Sequence, residues 1–546
     1  MTHKSFSALA ALIVGSVLVT VAAGPKFYRD DPLWTDPETQ DASGVKRIRA
    51  SQQFDFVENT FLGAGDKSNR RAVNVNTVDE VPDSSWFTNR IGREQWTTDR
   101  IVRGPDTGTG LAPGPWTVIE AKSEGISPGL TVKDSSGDTY FIKFDPPSNP
   151  EMASGAEVIS TKFFYAFGYH TPENYIGVLQ PDSLTIQPGT RITDDDGTER
   201  SMEVRDLRNL LRKAAKRPDG SYRVLASRGI THPPIGKFRY YGTRPDDPND
   251  IHPHEHRREL RGMVVFAAWL NHDDSRSINT HDVLVKEGNR ALVRHYLLDF
   301  GSTLGSGSTQ AQTTRAGNEF LWEARPTFVT MLTLGFYVRP WVKYRYPDLP
   351  AVGRIESSYF QPEQWKPEYP NRAFSNARPE DKFWAARIIT ALSDDAIRDV
   401  VATGQYTDPQ ATQYLTQTLL ERKAKVLESW LNITNPVVSV ALSPSGALTF
   451  SNAAVDAGMA KAAESYALSW SAFDNATSTH AAVGAELKVT TTAAQAPREL
   501  LAGGAEYIAV TIRAFEPNRP AWGHPLIAYF RRAGAAWALV GLDRNP

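Results

Sequence analysis

Lys143 closes an apolar, strand-forming run, Tyr140-Phe141-Ile142-Lys143-Phe144, in which side-chain alternation turns its ammonium to the side opposite Ile142 and Phe144. Glu157 follows on a stretch of helical apolar spacing, placed to pair with that lysine, and Glu151 is a second candidate for the same pairing. Further on, Asp274, Arg276 and Asn279 share the polar run Asn271-His272-Asp273-Asp274-Ser275-Arg276-Ser277-Ile278-Asn279, with the Asp and the Asn five residues apart. Asp299 heads Asp299-Phe300-Gly301 after two strand-like runs. Phosphoryl transfer asks a protein mainly for charge and position: a cation on the nucleotide phosphates, oxygen ligands for magnesium, and a carboxylate to orient the attacking hydroxyl. In these residue types Lys143 is the phosphate contact, and Asp274 is the base or orienting carboxylate with the positive charge of Arg276 beside it. Asn279 and Asp299 are the metal ligands, because hard Mg²⁺ prefers carboxylate oxygen and keeps several waters. Asp273 competes with Asp274 for the base role.

Each residue taken singly has a plainer reading: a solvated strand lysine, a helix-surface glutamate, an arginine that pairs with a neighbouring aspartate merely to fix its loop. Order and spacing together make the set. At these residues the chain resembles the protein-kinase superfamily, where the catalytic loop runs H-R-D-x-K-x-x-N and the metal motif is D-F-G. The segment Asp274 to Asn279 keeps the Asp-to-Asn spacing, with Arg276 where protein kinases often carry lysine, and Asp299-Phe300-Gly301 matches outright. The chain is more similar to the atypical branch: HipA-like kinases, phosphatidylinositol kinases and secreted CotH-type kinases. There a long helix often runs into an N-x-D-type loop, as at Leu270-Asn271-His272-Asp273-Asp274, and a glutamate helix ends in glycine and then proline, as from Glu157 through Gly168 to Pro172. The resemblance spans roughly residues 116 to 435. It implies ATP with Mg²⁺ or Mn²⁺ as cofactors, Lys143 on the phosphates with Glu157 as its partner, and a hydroxyl acceptor on a protein or small molecule. Gly125 and Gly129, in the turn Gly125-Ile126-Ser127-Pro128-Gly129, are the candidates for covering the nucleotide. That turn is not G-x-G-x-x-G, and Pro128 removes one backbone donor.

The elements that must hold these residues imply an α+β, two-lobed, protein-kinase-like fold with an N-terminal extension and a small C-terminal β-rich domain. Residues 25–115 lack a sustained period and read as an extended arm. Residues 116–250 form the first lobe: an antiparallel meander (Trp116 to Ala121, Gly129 to Lys133, Asp138 to Phe144), a helix from Ala156 to Phe167, strands at Tyr175 to Leu179 and Leu184 to Ile186, and an inserted helix from Val204 to Lys216. Residues 251–435 form a helical second lobe, with a long helix from about Glu255 to Asn271, strands at Asp282 to Lys286 and Ala291 to Leu298, and mostly helical sequence to Asn432. From residue 436 to 546 the composition turns to Ala, Ser, Thr and Val with alternating runs, which reads as a separate β domain.

Composition bounds the rest. The 546 residues, 40% hydrophobic, can fill more than one core. Sixty basic against sixty-two acidic residues leave a net charge of -2, so no global field draws the molecule to nucleic acid or an anionic membrane, and any such binding is local. Without cysteine there are no disulfides, thiolate metal sites or thiol nucleophiles. Residues 1–24 read as a signal peptide or an N-terminal inner-membrane anchor, since Phe6 to Ala23 are almost wholly apolar and Val21-Ala22-Ala23 precedes Gly24. The expectation is an exported, periplasmic or extracellular protein, possessing no fixed oligomeric state that its sequence reveals. Because ATP is scarce there, an inactive kinase-fold scaffold of the envelope is the competing reading, and AMP transfer at the same site is a third. His252, His254 and His256 sit at alternating positions and are weak metal candidates against a solvated turn that caps the next helix. Asp194-Asp195-Asp196-Gly197 lacks the spaced ligands of a calcium loop. Trp322, Trp341, Trp365 and Trp384 are expected to pack in the core. No G-x-S-x-G elbow, H-E-x-x-H helix or Walker loop is present, which removes support for those hydrolases and NTPases.

Overall fold

Residues 24–115 run mostly as extended chain with two short helices, α1 (Gln52–Val57) and α2 (Thr98–Arg103). The computed structural model describes residues 24–49, 51–108, 110–122, 129–193, 198–334 and 336–544. The apolar leader (1–23), the turn bearing Gly125, and Asp194 to Gly197 lie outside the described residues. The aromatics scattered along this segment explain its path: Trp86 and Phe87 are buried in the main core, while Phe27 packs among Phe473, Tyr507 and Tyr529 at the far end of the chain.

The expected meander is the middle of a larger sheet. Strands β1 (Trp116–Lys122), β2 (Gly129–Lys133) and β3 (Thr139–Phe144) are followed by helix α3 (Met152–Phe167) and strands β4 (Asn174–Leu179) and β5 (Leu184–Ile186). A small ribbon of β6 (Arg191–Thr193) and β7 (Glu199–Ser201), helix α4 (Val204–Leu211) and strand β8 (Tyr222–Arg228) complete this lobe. The order is β4-β8-β3-β2-β1-β5, antiparallel except for the β1–β5 pair. Alternation along β3 buries Tyr140, Ile142 and Phe144 on one face, packed with Leu207, Leu210 and Leu211 of α4. Lys143 is therefore on the opposite face, as its place in the run requires. Strand β8 has no clean alternation, because its burial on both faces erases the period.

The second lobe opens with β9 (Pro234–Gly236), helix α5 (Arg258–Leu270) and a hairpin of β10 (Thr280–Glu287) and β11 (Arg290–Leu297). Helices α6 (Ala324–Leu332), α7 (Arg372–Ser375), α8 (Pro379–Thr390), α9 (Asp394–Ala402) and α10 (Pro409–Trp430) follow. The expectation of mostly helical sequence after Asp299 fails between 303 and 371, where α6 is the one α-helix among the described residues. Pro340, Pro347, Pro350, Pro362, Pro367 and Pro370 explain this, since each lacks an amide donor and restricts the residue before it. Trp365 and Trp384 are core residues, but Trp322 is half exposed and Trp341 only partly buried.

The start of α5 is anchored by charges in the interior. Arg258, fully buried, holds Asp79 at 2.6 Å and Asp381 at 3.1 Å, and Arg261 reaches Asp381 at 3.4 Å. His254 Nε2 is 2.7 Å from Asp250 Oδ2, and His256 Nε2 is 2.8 Å from Asp66 Oδ2, so these two histidines of the run are structural ties. His254 to His256 form a 3₁₀ turn and not an extended chain, which cancels the alternation that would have aligned their rings. Removing one partner from a buried ion network leaves an uncompensated charge, and Asp381→Ala is expected to cost about 3–5 kcal/mol. Urea unfolding beside the parent protein measures this, and a loss below about 1 kcal/mol would show that water or another side chain takes over the role.

The last region carries β12 (Val437–Leu442), β13 (Ala447–Asn452), α11 (Ala453–Asp456), β14 (Ser465–Asp474), β15 (Thr479–Val489), β16 (Ala493–Gln495), α12 (Arg498–Ala502), β17 (Tyr507–Phe515), β18 (Leu526–Ala533) and β19 (Ala536–Arg544). These make sheets ordered β12-β13-β16 and β15-β14-β17-β18-β19. Their apolar residues join the helical lobe in one continuous core, from Trp430 and Leu431 to Val437, Leu468 and Phe530. The architecture is the α+β, two-lobed arrangement with a β-rich C-terminal region.

Candidate functional site

Register fixes Lys143 before any tertiary contact does: it lies opposite Gly129 on β2 and Leu225 on β8. Helix α3 is then secured at both ends. Asp145, just after β3, accepts from the backbone N–H of Ser154 at 2.8 Å and from its hydroxyl at 2.6 Å, so the helix start is tied to the strand that carries the lysine. Farther along, Phe164 stacks on Phe300 at 4.8 Å between centroids, and the hydroxyls of Ser160 and Thr303 meet at 2.6 Å. This docking brings Glu157 under Lys143 and the Asp299 segment against both.

The ammonium of Lys143 donates to Glu157 Oε2 at 3.1 Å and to Asp299 Oδ1 at 2.7 Å. Glu157 Oε1 accepts from the backbone N–H of Phe300 at 3.0 Å, which locks the carboxylate's orientation. Burial works against the Lys143 charge, but the carboxylates of Asp299 and Glu157 outweigh it and hold the ammonium's pKa above the ordinary lysine value. Burial pushes the Glu157 carboxyl up, with Lys143 pulling the other way. Asp299 adopts the left-handed conformation, φ 61°, a region that tolerates Asp better than most residues. A Cβ on Gly301 would stand 3.0 Å from Glu157 Oε2, so a side chain there would press on the carboxylate that Lys143 holds. Glu151, the alternative partner for Lys143, instead accepts from the backbone N–H of Thr407 at 2.8 Å and ties the first lobe to the second.

The polar loop is set by the end of α5. Asn271 ends the helix in the left-handed conformation, φ 51°, and its Oδ1 accepts from Trp365 Nε1 at 2.9 Å. Arg422 of α10 donates to the carbonyl of Trp269 at 2.8 Å, a cation where helix carbonyls lack partners. The hairpin then joins two distant residues. Thr280 pairs with Leu297 at its open end, and Leu298 N–H donates to the carbonyl of Asn279 at 2.9 Å, so Asn279 and Asp299 flank the same strand pair. The Asn279 amide donates to the carbonyl of Asp274 at 2.9 Å, which folds the five-residue spacing into a closed turn.

Arg276 pairs with Asp274 and, at 2.8 Å, with Glu368. Burial raises the Asp274 carboxyl to about 6, opposed by Arg276. Asp273 is pushed well above the usual carboxylate range by burial, then by the charges of Asp274 and Glu368, while Gln312 Nε2 donates to it at 3.2 Å. The two adjacent aspartates are thus unequal: Asp274 has an arginine beside it that opposes the effect of burial, whereas Asp273 is pushed up by burial and by two neighbouring carboxylates. His272, behind the loop, is lowered to about 4 by burial and is neutral.

A cleft of about 1490 Å³ is lined by Lys143, Glu157, Asp274, Arg276, Asn279 and Asp299 together, with Gly129 at its edge. That exceeds the roughly 300–1,000 Å³ usual for a single small ligand and leaves room for a nucleotide and part of an acceptor. Six of the sequence-predicted positions thus meet Gly129 at one opening, and Gly125 lies outside the described residues. Glu368 and Gln312, which hold Arg276 and Asp273, had no local sequence signal, because each acts through a contact made across a long loop.

Side-chain oxygens of the kind that could hold a divalent ion line the cleft. Asp299 and Asn279 supply two protein groups, and among the described residues no three His, Asp or Glu side chains converge to form a complete cage. Mg²⁺ suits such a site, since it commonly takes one or two protein carboxylates and completes its shell with phosphate and water. The Lys143 charge is already matched by two carboxylates.

Comparison with known proteins gives little beyond this. No protein-family model matches the chain, and no curated protein does. Among solved structures, a proinflammatory kinase of Helicobacter pylori, CtkA, matches at 13% identity with a TM-score of 0.30, over 54% of this chain and 90% of that one. At that score the likeness decides nothing. The contacts of Lys143, Glu157 and Asp299 carry the functional reading.

Proposed function

We propose that this protein is a kinase-like phosphotransferase that uses ATP and a divalent metal to phosphorylate a hydroxyl on a protein or small molecule. The observation that carries the reading is the Lys143 ammonium held between Glu157 and Asp299 in the cleft that Asp274 and Asn279 also line. Lys143 binds and orients the phosphates, and Glu157, locked by Phe300, keeps the lysine from collapsing wholly onto Asp299. Asp299 and Asn279 would hold Mg²⁺ or Mn²⁺, which offsets the negative charge of the phosphates when bound. Asp274 accepts the acceptor hydroxyl's proton or orients that hydroxyl, and Arg276 keeps Asp274 ionised and pointed. Export, inferred from the apolar residues 6–23, belongs to the same proposal. Among the described residues no helix is long and apolar enough to cross a membrane.

A ligand that binds only the folded state raises its melting temperature. ATP with Mn²⁺ or Mg²⁺ at about one hundred times its dissociation constant adds about 2.7 kcal/mol and is expected to shift melting upward by several degrees, with a smaller shift from ATP alone. No shift with either metal favours the scaffold reading. Incubation with γ-labelled and α-labelled ATP then separates phosphate transfer from AMP transfer.

A further inference from the structure

The two most exposed large apolar side chains among the described residues, Leu334 and Phe336 at 85% and 87%, lie two positions apart just after α6. Phe328, Met331 and Leu332 of α6 are also exposed. Soluble surfaces seldom leave so continuous an apolar group in water. The charge around it is one-sided: from Ala324 to Pro347 there is no acidic residue, while Arg325, Arg339, Lys343 and Arg345 are basic, in a chain whose net charge is -2. Arg339 is paired with Glu319, so the other three carry the excess.

We propose that the exposed apolar side chains of Phe328, Met331, Leu332, Leu334 and Phe336, with Arg325, Lys343 and Arg345 near them in sequence, dock on an anionic lipid bilayer. Phe328, Met331, Leu332, Leu334 and Phe336 enter the boundary between headgroups and acyl chains, and the basic residues meet the lipid phosphates. Apolar and aromatic side chains bordered by Lys and Arg suit such a surface, where hydrocarbon burial and headgroup attraction add. A second copy of the chain suits it less, because self-association would set like charges against one another. Trp322 extends the patch through its ring contact with Phe61, 5.2 Å between centroids and itself exposed. Leu321, next to Trp322, lines the cleft with Glu319 and Arg315, so docking brings that part of the cleft lining near the bilayer. The proposal stands apart from phosphate transfer, since lipid docking needs no nucleotide.

The absence of cysteine makes the test local. Leu334→Cys in the full chain, labelled with a polarity-sensitive fluorophore, is mixed with vesicles of phosphatidylglycerol and phosphatidylcholine in equal parts, or of phosphatidylcholine alone. The expected result is blue-shifted, brighter emission on the anionic vesicles only, with no change from the same probe at Lys461→Cys in the C-terminal region. Replacing Arg325 or Lys343 by Gln in the labelled protein should weaken the response about fivefold each. Melting temperatures matching the parent confirm that the variants fold. Vesicle-bound protein whose probe at 334 stays water-like would mean that residues 6–23 alone attach it, and the proposal fails. It also fails if the response is equal on phosphatidylcholine, or follows protein concentration without lipid, which would assign the patch to a second copy.

Discussion

Asp299→Asn is expected to lower ATP-dependent transfer by about 10²–10³, the usual cost of removing one preorganised electrostatic group at a reacting centre. The substitution keeps the side chain's shape and suits the left-handed backbone that Asp299 adopts, so the loss reports charge and ligation. Two effects act in the same direction. On the proposed reading a bound metal would lose its carboxylate ligand, and Lys143 would keep only Glu157 as a partner, leaving its ammonium less rigidly placed. Stability should change little, because the Asp299 side chain is 45% exposed and an exposed ion pair contributes about 1 kcal/mol or less. Initial rates with labelled ATP, read beside the melting temperature, check both halves. Undiminished transfer would remove Asp299 from the site, and with it the metal assignment.

The second large effect is in the pH profile. A buried Asp274 at about 6 is half ionised at that pH and roughly a tenth ionised one unit lower. If its ionised form takes the acceptor's proton, kcat/KM should rise with pH through an apparent pKa near 6 and level off above it. Asp274→Asn should cost about 10²–10⁴ in rate and erase that limb. Arg276→Gln should move the limb upward instead, because removing the neighbouring positive charge favours the protonated carboxyl. Folding stability runs the other way. A carboxyl whose folded pKa is raised weakens the fold as pH rises from the unfolded value toward 6, by roughly 3 kcal/mol once that window is passed. Asp274→Asn should therefore leave the melting temperature above pH 6 unchanged or higher while activity collapses. A flat profile that keeps its rate in Asp274→Asn would hand the base role to another group.

Several parts of this arrangement were legible without coordinates, for local reasons. Alternation in Tyr140-Phe141-Ile142-Lys143-Phe144 alone turns Lys143 away from the buried face, since a strand's period of two admits no other answer once Ile142 and Phe144 go inside. The apolar periodicity of α3 and α5, and the two runs that became β10 and β11, were readable for the same reason. Even the meeting of Asn279 and Asp299 was implicit, because a hairpin returns the chain to where it left. Where burial was complete or proline intervened, the pattern failed: β8 shows no alternation, and residues 303–371 are largely irregular despite aromatic-rich sequence.

What only the tertiary structure decided is how residues far apart in sequence share one charge balance. Glu157 and Glu151 are equivalent in composition, yet docking of Phe164 on Phe300 assigns the first to Lys143 and leaves the second to Thr407. Asp273 and Asp274 are adjacent and identical, yet Arg276 pairs with Asp274 while Asp273 is left to Gln312. His256 became a tie at the start of a helix because Asp66 reaches it from 190 residues away. Periodicity is a property of neighbours along the chain, so sequence determined the elements and the face each residue takes. Electrostatic pairing depends on distance through space, which the sequence leaves open until the lobes have packed.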